Sequence, residues 1–270
     1  MNPEQTQQLV QAARSNPRAY GEPHSTWTLV LLKEIILKNI QVSQATVWRT
    51  LRRAGIRFKC AVHRCWSPDP KYLNKVALIE ERRQKAQVCS DENVFLYEDE
   101  CHLGRRPTLS KCYFPKGSKP PQVGKGTSES TRCIFGAVNA VYGKILYLIS
   151  LTGASTSFIT FLEQVEQTYW WAKRITIVLD NWGVHFSNSV EDWLKKHSRI
   201  ELLPLPTYAP WLNPMERLWR WMRRCVTHNH PWTEIQEVIQ GAQDFLEDVK
   251  DQREQVFTSL GLKPVLIKPG

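Results

Sequence analysis

Residues 93–99 read NVFLYED, and their period decides the fold. Before them, residues 71–89 place charged side chains on a helical spacing; from Asn93 the apolar residues run together and end in carboxylates, the pattern of a short buried strand. The same pattern recurs downstream. "RCIFGAVNAVYGKILYLISL" at 132–151 reads as two strands around Tyr142–Gly143, "RITIVLDN" at 174–181 as a strand ending in Asp180, and "IELLPLP" at 200–206 as another. Helical patterns lie at about 156–172, 187–198, 214–226 and 232–260, so residues 93–270 are predicted to form a mixed sheet flanked by helices, an α/β fold.

Upstream the period is helical throughout. "TWTLVLLKEIIL" at 26–37 and "VSQATVWRTLRRAGI" at 42–56 predict two helices joined by a tight turn around Asn39–Val42. In the second, Ser43 is the N-cap, Val47, Leu51 and Ala54 form the inward stripe, and Gly55 ends the helix. Gln44, Thr46, Arg49, Arg52 and Arg53 take the other faces, amide, hydroxyl and guanidinium groups suited to base edges and phosphates. Both an ordinary helical hairpin and a helix-turn-helix fit this pattern. The formal charge of +10 leans the same way: residues 1–90 hold 15 Lys and Arg against 6 acids, residues 91–270 hold 21 against 20. Nearly all the excess positive charge lies in the first third, where a polyanion would be met.

Composition narrows the class. The chain has 270 residues, 42% of them hydrophobic, enough for a packed core, and no run approaches the roughly 20 apolar residues of a membrane span. The N-terminus lacks the apolar stretch of a signal peptide, which predicts a cytoplasmic protein with no membrane partner. Seven scattered cysteines argue for reduced thiols. "CAVHRC", with Cys60, His63 and Cys65, could begin a zinc site, but no second ligand pair follows at suitable spacing.

Three acids stand at element ends. Asp99 and Asp180 close strands, and Glu216 opens a helix in "TYAPWLNPMERLW" (207–219), where Asn213 is a helix N-cap, Pro214 the first helical position and Glu216 the third, able to reach back to the cap. Each acid can be read as a cap alone. Carboxylates brought together would repel one another unless cations filled the gap, an arrangement suited to two-metal phosphoryl transfer. In "EDE", strand alternation puts Asp99 on one face and Glu98 and Glu100 on the other.

"FLYEDECHL", "IVLDNWGVHFS" and "TYAPWLNPMERLW" resemble the three catalytic motifs of DDE transposases, in particular the bacterial insertion-sequence branch of the mariner superfamily. The 35 residues between Asp180 and Glu216 suit that branch, and the resemblance runs from near Trp27 to the C-terminal helix. It implies a ribonuclease-H-like catalytic domain at 93–270 with a C-terminal helix, a linker and connecting helix at 61–92, and a small all-α helix-turn-helix domain at 1–60. It also implies that Asp99, Asp180 and Glu216 hold two Mg²⁺ or Mn²⁺ ions, and that Glu100, Asn181, His185 and Asn213 support them. Ser43, Gln44, Thr46, Arg49, Arg52 and Arg53, with Arg105, Arg106, Lys111, Arg220 and Arg224 around the catalytic domain, would bind double-stranded DNA, both the element's terminal inverted repeats and the target.

The implied activity is metal-dependent DNA cleavage and strand transfer by a homodimer on DNA, in a bacterial nucleoid-associated setting. Family members carry two helix-turn-helix units, and "MNPEQTQQLVQAARSNPRAYGEPHSTWTL" resembles the connection into the second, so the resemblance implies an N-terminally shortened DNA-binding region. A catalytically silent DNA-binding repressor derived from such an element is the alternative function.

Overall fold

The computed structural model describes residues 1–59, 66–119, 121–124 and 131–263. Cys60, His63 and Cys65 lie outside them, as does Lys125. The chain separates into two compact units, Met1–Arg64 and Cys65–Gly270. Among the described residues no helix is long and apolar enough to cross a membrane.

The first unit is a bundle of three helices: α1 (Pro3–Arg14), α2 (Leu29–Ile36) and α3 (Gln44–Arg53). The opening residues, expected to be a connection, form α1 instead, started by a reciprocal capping box in which Asn2 and Gln5 satisfy each other's backbone N–H groups. Leu9 and Ala12 of α1 pack with Trp27, Leu31, Leu32, Leu37, Val47 and Leu51 in one small core. In α3, Ser43 caps as expected, its hydroxyl accepting from Thr46 N, and Val47 and Leu51 point inward. Ala54 does not join the stripe; it is the exposed C-cap, and Gly55 leaves the helix at φ 77°.

The second unit is built on a five-stranded sheet: β1 (Asn93–Gly104), β2 (Thr131–Asn139), β3 (Ile145–Ser150), β4 (Arg174–Leu179) and β5 (Ile200–Pro204). The order is β3-β2-β1-β4-β5, antiparallel from β3 to β1 and parallel from β1 to β5. Alternation along β1 sorts its side chains between two cores. Phe95, Tyr97, Cys101 and Leu103 face the helices α4 (Tyr72–Val88), α7 (Met215–Val226), α8 (Ile235–Val249) and α9 (Arg253–Leu260). Val94 and Leu96 face α5 (Ser155–Thr168) and α6 (Asn188–Lys196). The sheet is thereby buried on both sides, each large side chain contributing roughly 1.5–3 kcal/mol.

Two expectations are corrected. β1 does not end at Asp99 but runs on to Gly104, because β2 pairs with it along that whole length. The helical pattern at 232–260 is two helices, α8 and α9, and in the break the Lys250 carbonyl accepts from Ile145 N at the start of β3. The charged helix at 71–89 is α4, which buries Ile79 and Ala86 against the sheet and pairs Arg82 Nε with Glu201 Oε2 of β5 at 3.1 Å.

Candidate active site

Asp99 lies within β1 opposite Gly136 of β2. Gly136 has no side chain for a steric reason: a Cβ there would meet the Trp219 ring at 2.5 Å, so α7 sits directly on the sheet beside Asp99. Asp180 follows β4 immediately, and the β1–β4 register, Tyr97 against Val178, carried on by two residues sets it next to Asp99. Its Oδ1 accepts from Trp182 N at 2.8 Å. Glu216 is on the first turn of α7. All three carboxylates line one cleft, together with Asn181, Trp182, Tyr208 and Asn213.

Asn213 fixes how Glu216 meets Asp99. Its backbone is extended (φ −95°, ψ 110°) while Pro214 is already helical (φ −66°, ψ −21°), and its Oδ1 accepts from Met215 N at 3.1 Å; Asn213 is the working N-cap although the regular helix starts at Met215. The other half of the amide donates to the Glu98 carbonyl at 2.7 Å. One buried side chain therefore starts the helix and ties it to β1. Glu216 makes no side-chain bond to this cap, so its carboxylate is left for the cleft rather than closing the expected capping box.

Crowding shows in the electrostatics. Burial, then the charges of Glu216, Glu100 and Asp180, push the Asp99 carboxyl up to about 8. Behind the strand, Glu98, Glu100 and His185 form a separate cluster. His185 Nε2 is 2.5 Å from Glu100 Oε1 and 3.8 Å from Glu98 Oε2, and its Nδ1 is 3.5 Å from Asp180 Oδ1. Burial, followed by the charges of Glu100, Asp99 and Asp180, drives Glu98 well above the usual carboxylate range. The ligand atoms of this trio lie within 4.8 Å of one another, close enough to suggest an ion. At 2.5 Å, however, His185 Nε2 and Glu100 Oε1 are in direct hydrogen-bond contact, closer than two donors stand around one ion at about 2.0–2.2 Å.

A family model described as DDE superfamily endonuclease matches residues 94–239, more than half of the chain. The chain belongs to the DDE superfamily of endonucleases. It is similar to an uncharacterised 39 kDa protein of insertion element IS630 from Shigella sonnei, 29% identical over 243 residues that cover 89% of this chain and 70% of the relative. It is also similar to the transposase of transposable element Tc3 from Caenorhabditis elegans, 25% identical over 222 residues, 79% of this chain and 66% of that one. In fold it matches the Mos1 transposase paired-end complex with left transposon end, with a TM-score of 0.61 at 16% identity, over 98% of this chain and 80% of that one. A Mos1 paired-end complex with Mn matches with a TM-score of 0.64 at 15% identity, over 97% and 75%. The α/β fold is thus ribonuclease-H-like, and the chain is a DDE nuclease.

The other residues predicted for this endonuclease divide into braces and free cations. Asn181 donates to the Leu205 carbonyl at 2.8 Å and His185 is wholly buried, so both fasten the loop after β4. Arg105 donates to the Thr233 carbonyl at 2.7 Å, tying the end of β1 to the start of α8. Arg106, Lys111, Arg220 and Arg224 are exposed, the last two lining a groove with Arg217 and Gln255 of α9. On α3, Gln44, Arg49, Arg52 and Arg53 are exposed, Thr46 is partly covered, and Arg52 lies 5.1 Å over the Trp48 ring. Sequence reading gave no role to Glu98 or Asp69. The doubled acid in "EDE" was the available signal for the first. For Asp69 there was none, since its partners, Lys75 Nζ at 2.9 Å and Thr207 N at 3.1 Å, include one 138 residues away.

Proposed function

We propose that this DDE endonuclease is the transposase of an insertion element, cutting DNA at the element's ends and joining the freed 3′ ends to target DNA. The observation that carries the reading is the meeting of Asp99, Asp180 and Glu216 in one cleft, with Asp99 raised to about 8 by burial and its neighbours' charge. An all-carboxylate donor set fits hard divalent ions such as Mg²⁺ or Mn²⁺, and the repulsion that raises Asp99 is what a cation there would reverse. Bound ions would supply activation of the attacking oxygen, first of water and then of a DNA 3′-hydroxyl, and would stabilise the leaving oxygen. The chain's own part is placement. Asp99, Asp180 and Glu216 hold the ions, two in this reading; Asn213 sets the start of α7 against β1; His185 and Glu100 support the Asp180 loop from behind.

Residues 1–60 take the DNA ends, with α3 presenting Ser43, Gln44, Thr46, Arg49, Arg52 and Arg53, while Arg105 stays structural and Arg106, Lys111, Arg220 and Arg224 hold phosphates in the catalytic unit. Two copies bridging two ends complete the scheme. The test uses the full chain and DNA carrying the inverted repeats that flank its gene. With Mg²⁺ the wild type should nick at the repeat boundary, and Asp180→Asn or Glu216→Gln should lose about 10³-fold or more while binding the repeat equally well. Arg49→Ala with Arg52→Ala should weaken binding and flatten its salt dependence. Metal-independent nicking, or nicking by the Asp180→Asn chain, sinks the reading.

A further inference from the structure

Among the described residues two non-glycines have positive φ, Tyr208 at 54° and Asn229 at 52°. Asn229 has a local reason, since its side chain bonds the backbone N–H and carbonyl of Ser110 and Asn tolerates this conformation. Tyr208 has none. Its side chain is 76% exposed, so packing does not repay an aromatic residue in the left-handed region.

The strain is held in place from both sides. Ser67 Oγ donates to the Thr207 carbonyl at 2.6 Å, Thr207 N donates to Asp69 Oδ2 at 3.1 Å, and Asp69 is itself held by Lys75 Nζ at 2.9 Å. Pro206 and Pro210 restrict the flanks. This fixed loop carries the ring at the cleft that Asp99, Asp180 and Glu216 line. An exposed aromatic face fixed beside those carboxylates is a sequence-tolerant partner for a base that comes unpaired next to the bond being cut.

We propose that Tyr208 stacks on an unpaired nucleobase of the DNA strand beside the phosphodiester being cut. The inference rests on the DDE transposase reading above. It requires the ring and not the hydroxyl, and it makes glycine the informative substitution, because glycine adopts the same backbone without strain.

The experiment compares the full-length wild type with Tyr208→Gly, Tyr208→Phe and Tyr208→Trp. Two end DNAs are used, one fully paired and one lacking the base next to the cleaved bond. Tyr208→Gly should melt at or above the wild-type temperature, cleave the paired end about ten-fold or more slowly, and recover to within about three-fold of wild type on the abasic end. Tyr208→Phe and Tyr208→Trp should cleave both as wild type does. Equal cleavage of the paired end by Tyr208→Gly and wild type overturns this inference alone, as does a loss of the same size on both DNAs. A wild type that cuts neither DNA overturns it together with the reading on which it rests.

Discussion

The two faces of β1 carry neighbouring acids to opposite ends. On one, Asp99 opens to a cleft, with Asp180 and Glu216 acting on it as charges. On the other, Glu98 and Glu100 are closed in with His185 against Phe158, whose ring lies 4.5 Å from the imidazole. The first face keeps its repulsion for something from outside to relieve; the second closes its acids in against an imidazole. A strand can do both because successive side chains point oppositely, so one residue of displacement separates solvent chemistry from structural chemistry. What distinguishes the acid facing the cleft from the buried ones here is therefore the element opposite it, α7 with its Glu216 or the loop with His185.

The largest way to break this contrast is to remove His185. Taking one partner from a buried pair strands the other, and Glu100 would then be left beside Glu98 with no imidazole. His185→Ala should cost about 3–5 kcal/mol, read as a fall in the urea midpoint with unchanged slope. A loss under about 1 kcal/mol would mean that the far face does not depend on the pair at all.

The open face gives an effect of intermediate size, seen as pH dependence in metal-free protein. Asp99 titrates at about 8 when folded and near 3.8 when unfolded. Between those values the folded chain keeps a proton that the unfolded chain has released. Stability should therefore be full below about pH 4 as far as this group is concerned, and should decline as pH rises through about 8, by roughly 1–3 kcal/mol after relaxation. Millimolar Mg²⁺ at pH 8 should restore it, and Asp99→Asn should remove both the slope and the Mg²⁺ response. Melting curves across that range with EDTA or Mg²⁺ decide the point; a slope that survives in Asp99→Asn belongs to another group.

The unequal legibility of the two faces has a physical cause. The strand periods at 93–99, 132–151, 174–181 and 200–206 and the Asn213–Pro214 helix start were open to local reading, because each is set by alternation or capping within a few residues, whereas singling out Asp99 among its neighbours rests on the family resemblance. Helix α1 was missed because its apolar positions are sparse and its Asn2–Gln5 capping box stands at the chain's opening. Long-range partners were not legible. Arg105 reads as one more cation until Thr233 receives it, and Asp69 as a linker acid until Thr207 and Lys75 close on it. The strain at Tyr208 is likewise a property of those anchors rather than of "TYAP".

The smallest effect expected is the one that sharpens the comparison most, Glu98→Gln. Burial and three acidic neighbours hold Glu98 well above the ordinary carboxylate range, which favours its neutral form in the folded chain. Glutamine has nearly the same shape and no charge to desolvate. The exchange should then change stability by less than about 1 kcal/mol and leave Mg²⁺-dependent cleavage within a few-fold of wild type. Asp99→Asn, one residue along, conserves shape equally well yet should abolish cleavage. The pair of isosteric changes thus separates charge from shape on the two faces. Were Glu98 instead an ionised ligand, Glu98→Gln would remove a bound charge, lowering stability by several kcal/mol and abolishing retention of a metal ion by a chain whose cleft acids had been neutralised; equilibrium dialysis against Mn²⁺ or Zn²⁺ with that chain would show it.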